Sequence, residues 1–434
     1  MQLNEYDVER VEYLQSRVDA QANNPQRTTF AIRFRGDAID LPKVRVDVLF
    51  PRYRLANGRT RRKQEQYLAD HPDSPSDLFA DPASEVAQQA QHEILYEMAK
   101  EANLEQLLED EGQRDPLVLT FDGYVVNGNR RLAIIRELEK VTHVDAVVLP
   151  ADADAKDISG LEMRLQMAED GKADYNWLDE LLTIESNITE VGFTEEEVAR
   201  EMGCYPKTVQ LKRHALDLVN RYLAERGYPG EHFRVEGDEQ AFDTLARAHR
   251  ETSDPDRQAN LRSLGFNIIA RPTPGQSVHR QIKTMIRNLD TAIDLISRQR
   301  DGANVHSPDN QAGLIGRERD GEAYALGGAL FFVESDLLSQ LDGKGAPSAI
   351  VALPINEDSA TQVHEALEAA RNLNEEVERA HEAASRVKAV ARALSAIEIT
   401  THTADRDVIA GQLRAIEAEC ARIWRQLEYG AVDA

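Results

Sequence analysis

Two hydrophobic periods run along this chain, one of strands and one of helices, and they meet between Pro116 and Arg136. Leu117-Val118-Leu119 is a short apolar run, Asp122-Gly123 supplies a two-residue turn, and Tyr124-Val125-Val126 begins a second run, a pattern that predicts a β-hairpin. Asn127-Gly128-Asn129 breaks that second strand. From Arg131 the apolar positions Leu132, Ile134, Ile135 and Leu138 take helical spacing, and Val144 to Leu149 follows as a further apolar run. Upstream, Val8, Val11, Leu14 and Val18 share one helical face within an N-terminal arm, residues 1 to 28. Thr28 to Arg35 alternates like a strand and Val44 to Phe50 like another, His71 to Pro82 reads as an irregular excursion, and Ala87 to Glu109 reads as a helix.

The second half is helical in its periodicity. Leu178 to Ile188 leads to Thr194, which with Glu197 forms a capping box opening a helix that carries Val198, Ala199 and Met202. The chain turns at Gly203 through Cys204-Tyr205-Pro206 and restarts at Lys207, which is a helix-turn-helix pattern within a segment from 158 to 225. Its second helix presents Lys207, Thr208, Gln210, Lys212 and Arg213, residue types that suit phosphates and base edges. The same turn also builds packing units, and Glu195, Glu196, Glu197 and Glu201 on the first helix oppose a phosphate backbone. Residues 232 to 300 predict a helical middle domain built on Phe242, Leu245, Leu261, Leu264 and Phe266. A polar, Gly-rich linker and a small mixed segment fill 301 to 356, with strands expected at Ala329 to Val333 and Ser348 to Pro354. From 357 to 430, Val363, Ala370, Val377, Ala384 and Ala391 alternate with Ala366, Leu373, Ala380, Val387 and Leu394 in a heptad seam. After a break at Thr400 to Thr403 the spacing resumes at Ile409, so a coiled-coil hairpin is expected, with 360 to 385 left over to join a second copy or a partner protein.

Composition narrows the functions. The net charge of −25 opposes any general attraction to nucleic acid or anionic membranes, so contact with DNA must be local. No apolar run approaches the length of about eighteen residues that crosses a bilayer, and the N-terminus is polar, so a cytoplasmic protein with no membrane partner is expected. Cys204 and Cys420 give neither a disulfide framework nor a metal motif. Within this acidic chain Arg52, Arg54, Arg59, Arg61, Arg62 and Lys63 cluster without an intervening acid. That cluster fits nucleotide or nucleic-acid contact, or else a solvated loop or salt bridges to the acidic stretch from Glu93 to Glu111. Gly128 ahead of a helix offers free N–H groups and the positive end of the dipole, and Arg130 and Arg131 beside it call for an anion or an acidic partner.

Gly128-Asn129-Arg130-Arg131, with the hairpin before it and Val144 to Pro150 after it, resembles the ParB/sulfiredoxin fold, in which a G-E-R-R-like stretch cradles nucleotide phosphates. The resemblance covers about residues 36 to 220 and implies an α/β ParB/sulfiredoxin-like N-terminal domain at 29 to 150, then a helix-turn-helix and a mainly α-helical C-terminal half. It implies that Arg52, Arg54 and Arg59 approach the nucleotide, although the Asn57-Gly58-Arg59 insertion departs from the family's N-P-R-like stretch. Leu161-Glu162-Met163-Arg164-Leu165-Gln166 occupies the place of an E-N-L-Q-R stretch, which would give Glu162 and Gln166 a role with phosphate and Glu162 one with Mg²⁺; a surface helix explains it equally. The expected cofactors are a nucleoside triphosphate, CTP or ATP, and Mg²⁺. The expected function is that of a nucleotide-binding, DNA-associated protein of bacterial partition or anti-phage defence. The alternatives are a ParB-like nuclease or NTPase, or an interaction scaffold with a non-functional pocket. Sulfiredoxin chemistry needs a cysteine at position 129, which is Asn.

Overall fold

In a computed structural model the strand-turn-strand run becomes the middle of a five-stranded mixed sheet. The structure describes residues 7–56, 58–102, 104–138, 141–167, 176–305, 324–326, 329–331, 351–395 and 406–429, and divides into two units, Met1–Arg371 and Asn372–Ala434. In chain order the sheet's strands are β3 (Val44–Asp47), β4 (Arg52–Tyr53), β5 (Leu117–Leu119), β6 (Tyr124–Asn127) and β7 (His143–Val148), following a separate hairpin of β1 (Thr29–Phe34) and β2 (Asp37–Pro42). Their spatial order is β3-β7-β5-β6-β4, with β5 antiparallel to β6 but parallel to β7, and β4 parallel to β6. Because side chains alternate across a strand, Leu117 and Leu119 face one way and Val118 the other. The first pair packs with Leu14 of α1 (Val8–Ala22), Leu95 of α3 (Glu85–Glu101) and Leu132 of α5 (Asn129–Glu137). Val118 packs with Ile32 and Phe34 of the hairpin and Leu161 of α6 (Ala155–Met167). The helix expected from Ala87 to Glu109 is two helices, with α4 (Leu104–Glu111) starting after α3 has ended at Ala102.

The arginine cluster is not a loop. Arg59, Arg61, Arg62 and Lys63 lie on α2 (Gly58–Asp70), whose buried residues are Thr60, Arg62 and Gln64, while Arg52 is on β4 and Arg54 just past it. Gly58 is required by a close approach: a Cβ there would lie 1.8 Å from Thr183 Oγ1 on α7 (Trp177–Ser186). Arg62, 4 % exposed, pairs with Asp179 of α7 at 3.2 Å and with Glu236 at 2.7 Å, while Arg61 meets Glu190 at 3.3 Å. Of the expected acidic stretch, Glu101 pairs with Lys63 at 3.8 Å. Glu65 of the same helix meets Arg61 at 3.9 Å, and the remaining acids paired with the cluster among the described residues lie beyond the sheet in sequence. Burial pushes the Asp179 carboxyl up to about 6 against the pull of Arg62.

The helix-turn-helix pattern becomes α8 (Glu195–Glu201) and α9 (Pro206–Glu225), with the Thr194–Glu197 capping box formed. α9 is shared with the middle helices α10 (Glu239–Glu251), α11 (Pro255–Ala270), α12 (Val278–Arg287) and α13 (Leu289–Val305). Val219, Phe242, Phe266, Ile282 and Ile296 lie in one buried cluster, and Tyr222 of α9 meets Phe242 and Phe266 edge-on at 5.5 and 5.4 Å. The expected boundary between 225 and 232 is therefore bridged by a common core. β8 (Tyr324–Leu326) pairs with β9 (Ala329–Phe331), where a strand was expected, whereas 306–323 and 332–350 lie outside the described residues. Val351 and Leu353 make no sheet. Their N–H groups donate to Asn260 Oδ1 at 2.7 Å and Ser263 Oγ at 3.0 Å on α11, replacing a neighbouring strand by side-chain acceptors.

The heptad region forms α14 (Glu357–Ser395) and α15 (Arg406–Tyr429), and the break at Thr400 to Thr403 lies outside the described residues. The start of α14 is not free to join a partner: Val363, Ala366, Leu367 and Ala370 are buried in the same cluster as the middle helices. In the second unit the seam is not closed over Val387, 58 % exposed, nor over Leu413, 39 % exposed, so a covered hairpin interior is absent at these positions. Among the described residues no helix is long and apolar enough to cross a membrane.

Removing one partner of a buried ion pair leaves the other charge stranded, so Arg62→Ala is expected to lower unfolding free energy by roughly 3–5 kcal/mol. Arg61→Ala, at a half-exposed pair, is expected to cost about 1 kcal/mol or less; urea denaturation of the two variants checks the contrast. Between α9 and α10, His214 Nε2 lies 3.1 Å from His249 Nδ1, and burial pushes His249 down to about 4. The unfolded chain takes up that proton near the ordinary 6.5, so this pair's contribution is full above that pH and is lost as pH falls toward about 4. His249→Gln is expected to flatten the stability profile in that window, by on the order of 2 kcal/mol.

Candidate phosphate-binding edge

Parallel strands that end together set up a place for an anion, because the helices that follow them start side by side. β4 and β6 are such a pair, with Arg52 opposite Tyr124 and Tyr53 opposite Val125. Each leads through a glycine into a helix, Gly58 into α2 and Gly128 into α5. Gly128 is the N-cap of α5 in the left-handed region, φ 96°, and no side chain caps the helix there. A Cβ at this position would sit 2.6 Å from Leu117 Cδ2. Asn129 is buried, its Nδ2 donating to Val125 O at 3.2 Å, and its Oδ1 accepts no hydrogen bond among the described residues.

α6 packs against β6 and brings Glu162 and Gln166 one turn apart, both buried. Arg54, just past β4, pairs with Glu162 Oε2 at 2.5 Å and donates to Ser159 Oγ at 3.4 Å. Arg59 donates to the Gln166 carbonyl at 3.5 Å, and Gln166 Nε2 donates to Glu162 Oε1 at 3.3 Å. Gln166 Oε1 is buried with no donor among the described residues. Burial raises the Glu162 carboxyl above its usual range, with Arg54 and Arg59 acting against that rise. Arg54, Arg59, Glu162 and Gln166, separated by more than a hundred positions, thus form one cluster, which Ser159 joins without any sequence signal.

Other expected residues go elsewhere. Arg131 turns back along the start of β5, donating to Asp115 O at 2.6 Å and Pro116 O at 3.5 Å, and burial lowers its pKa. It fastens the chain to its own helix instead of reaching outward to a phosphate. Arg130 is half-buried on the first turn of α5. Arg52 lines a separate cavity with Arg10 and Arg136. A guanidinium pair fits phosphate oxygens bidentately, so the donors left at this edge suit a phosphate-bearing ligand. Among the described residues no group of three acids, histidines or cysteines is placed to hold a metal.

On α9 two of the three expected DNA-facing cations, Lys212 and Arg213, are already paired. Lys212 meets Glu180 at 2.5 Å, Arg213 meets Glu185 at 2.9 Å and Glu195 at 2.8 Å, and Gln210 Nε2 donates to Glu195 Oε2 at 2.9 Å. Glu195, one of the acids expected to oppose a phosphate backbone, is thus a partner of Arg213, and Glu180 and Glu185 of α7 complete the pairing. Lys207 is exposed and Thr208 half-buried at the start of the helix, beside Tyr205, which is 81 % exposed.

No family model and no curated protein matches the chain. Among solved structures, the C-terminally truncated chromosome-partitioning protein ParB from Caulobacter crescentus, complexed to the centromeric parS site, aligns at 17 % identity. The alignment covers 56 % of this chain and 98 % of that one, with a TM-score of 0.30. This is a weak structural likeness, and the functional reading rests on the residues of this chain.

Gly128→Ala combines a positive φ with a Cβ clash, so it is expected to destabilise the sheet domain by about 1–3 kcal/mol. Gly36→Ala, also at positive φ but with open space around it, is expected to cost less; thermal denaturation of both variants checks this.

Proposed function

We propose that this chain is a nucleotide-binding, DNA-associated protein of ParB-like type, which takes a nucleoside triphosphate with Mg²⁺ at the edge formed by Gly128, Arg54, Arg59, Glu162 and Gln166. The observation that supports this most is the meeting of two parallel strand ends and an uncapped, glycine-led helix start with a buried Arg54–Glu162 pair. A phosphate is a competing partner for Arg54. As Arg54 transfers to it, the Glu162 carboxylate loses its counter-charge, and a cation arriving with the triphosphate is the natural replacement. α6 is also tied to α8 through Lys156–Glu197 at 2.8 Å and Arg164–Glu201 at 2.7 Å. A ligand that re-pairs Arg54 and Arg59 therefore acts on the same helix that holds the α8–α9 pair, which gives nucleotide a route to DNA contact at Tyr205, Lys207 and Thr208. Lys212 and Arg213 join that contact by exchanging Glu180, Glu185 and Glu195 for DNA phosphates.

The ion pairs on α9 favour a second reading, an interaction scaffold in which α8 and α9 are a packing unit. Titration calorimetry with ATP, CTP, GTP and UTP, each with Mg²⁺ and with or without duplex DNA, separates the two. One triphosphate is expected to bind, and Arg54→Ala is expected to weaken it about ten- to hundredfold by removing a charge-assisted contact. Arg131→Ala is expected to lower stability while leaving affinity nearly unchanged. Absence of binding by all four nucleotides supports the scaffold.

A further inference from the structure

We propose a second oxyanion site, independent of the phosphate-binding edge, in the cavity between the N-terminal arm, β4, α3 and α5. This cavity, about 460 Å³ in volume, is lined by Arg10 of α1, Arg52 of β4 and Arg136 of α5, with Gln88 and His92 of α3 opposite them. Three guanidiniums from positions far apart in sequence converge there. Two of them keep fixed duties: Arg10 donates to Asp122 O at 3.2 Å and Phe50 O at 3.0 Å, and Arg136 donates to Val48 O at 3.2 Å and Pro51 O at 2.5 Å. They also stack on rings, Arg10 over Phe50 at 4.4 Å and Arg136 over Tyr53 at 4.7 Å. Each guanidinium is thereby held rigidly while retaining nitrogen donors that these bonds do not use.

Arg52 is different. Its backbone N–H donates to Gly123 O at 2.9 Å, but its side chain has no hydrogen bond or ion pair among the described residues. Burial lowers the pKa of Arg10, and the nearby charge of Arg52 adds to that lowering. Two acids line the cavity as well. Glu137 is engaged by His92, whose Nε2 lies 2.7 Å from Glu137 Oε1 while its Nδ1 lies 2.8 Å from the Tyr53 hydroxyl; Glu85 is exposed on the first turn of α3. Tyr53, His92 and Glu137 therefore form a fixed wall. Against it, Arg52 is a fork with a like-charged neighbour and no ion-pair partner among the described residues. A carboxylate or phosphate oxygen pair matches that fork, and a ligand held there bridges the arm to the sheet.

The test uses the full chain in buffer held at constant ionic strength with NaCl. Inorganic phosphate, pyrophosphate and citrate are titrated in turn by calorimetry and by thermal denaturation. Saturable binding of at least one of them, with a matching rise in melting temperature, is expected, and which one binds tells phosphate from carboxylate. Arg52→Gln, which breaks no hydrogen bond of the fold, is expected to weaken that binding at least tenfold, and Arg52→Lys, which keeps the charge but loses the fork, by less. Arg54→Gln is expected to leave it unchanged, so this site stands or falls separately from the nucleotide site. Equal binding by wild type and Arg52→Gln, or saturable binding by none of the three anions, overturns the proposal.

Discussion

A guanidinium taken out of water has to meet acceptors, and the placement of Arg62 beside the Asp179 carboxylate governs how this chain is put together. Asp179 lies on α7, so satisfying Arg62 forces α2 against the helices that follow the sheet domain. Gly58 permits the contact by letting α2 approach Thr183 without a side chain between them. Glu65 strengthens it from the same helix through His232, 2.9 Å away. The sheet domain and the helical core are thus joined by polar chemistry at α2, with the apolar clusters lying to either side. Such a joint is directional in a way that an apolar contact is not, so it sets where the strand ends of β4 and β6 come to lie relative to α6.

Given that placement, the cluster at Glu162 follows. β4 is two residues long, and the chain past it delivers Arg54 to α6 while α2 begins a few residues later with Arg59. The carboxylate is held in a setting that disfavours its charge, and its nearest compensation is a residue that prefers a bidentate anion. By contrast, Arg131, adjacent to the glycine turn, is absorbed in fastening β5 to α5.

What the sequence made legible were the features with local causes. The hairpin at Leu117 to Asn127, the glycine start of α5 and the capping box at Thr194 each depend on neighbours within a few positions, and each is where the pattern put it. α2 escaped because its buried face is Thr60, Arg62 and Gln64, which no hydrophobic period reveals. The acids that meet Arg62, Asp179 and Glu236, lie more than a hundred residues away. The same blindness affected α9, where the side chains suited to DNA are also those suited to Glu180, Glu185 and Glu195. The heptad in α14 was real as a spacing, yet its first turns serve the middle core, because an apolar stripe does not encode what will cover it. At the candidate site, Arg54, Arg59, Glu162 and Gln166 were named through a family resemblance and meet in the structure, while Ser159 and the convergence of Arg10 and Arg136 on Arg52 carried no local signal.

The inward pairing of the arginines also decides what this protein looks like from a distance. With Arg54, Arg62, Arg164, Lys212 and Arg213 each matched to an acid, their fields cancel within a few ångströms, and the surplus of carboxylates, a net −25, dominates beyond. Salt at physiological strength screens exposed charges over about 8 Å. A polyanion approaching from further away in dilute buffer is turned aside before it can sense any cation. Moderate salt weakens that repulsion, the reverse of its effect on the steering that basic nucleic-acid-binding proteins use.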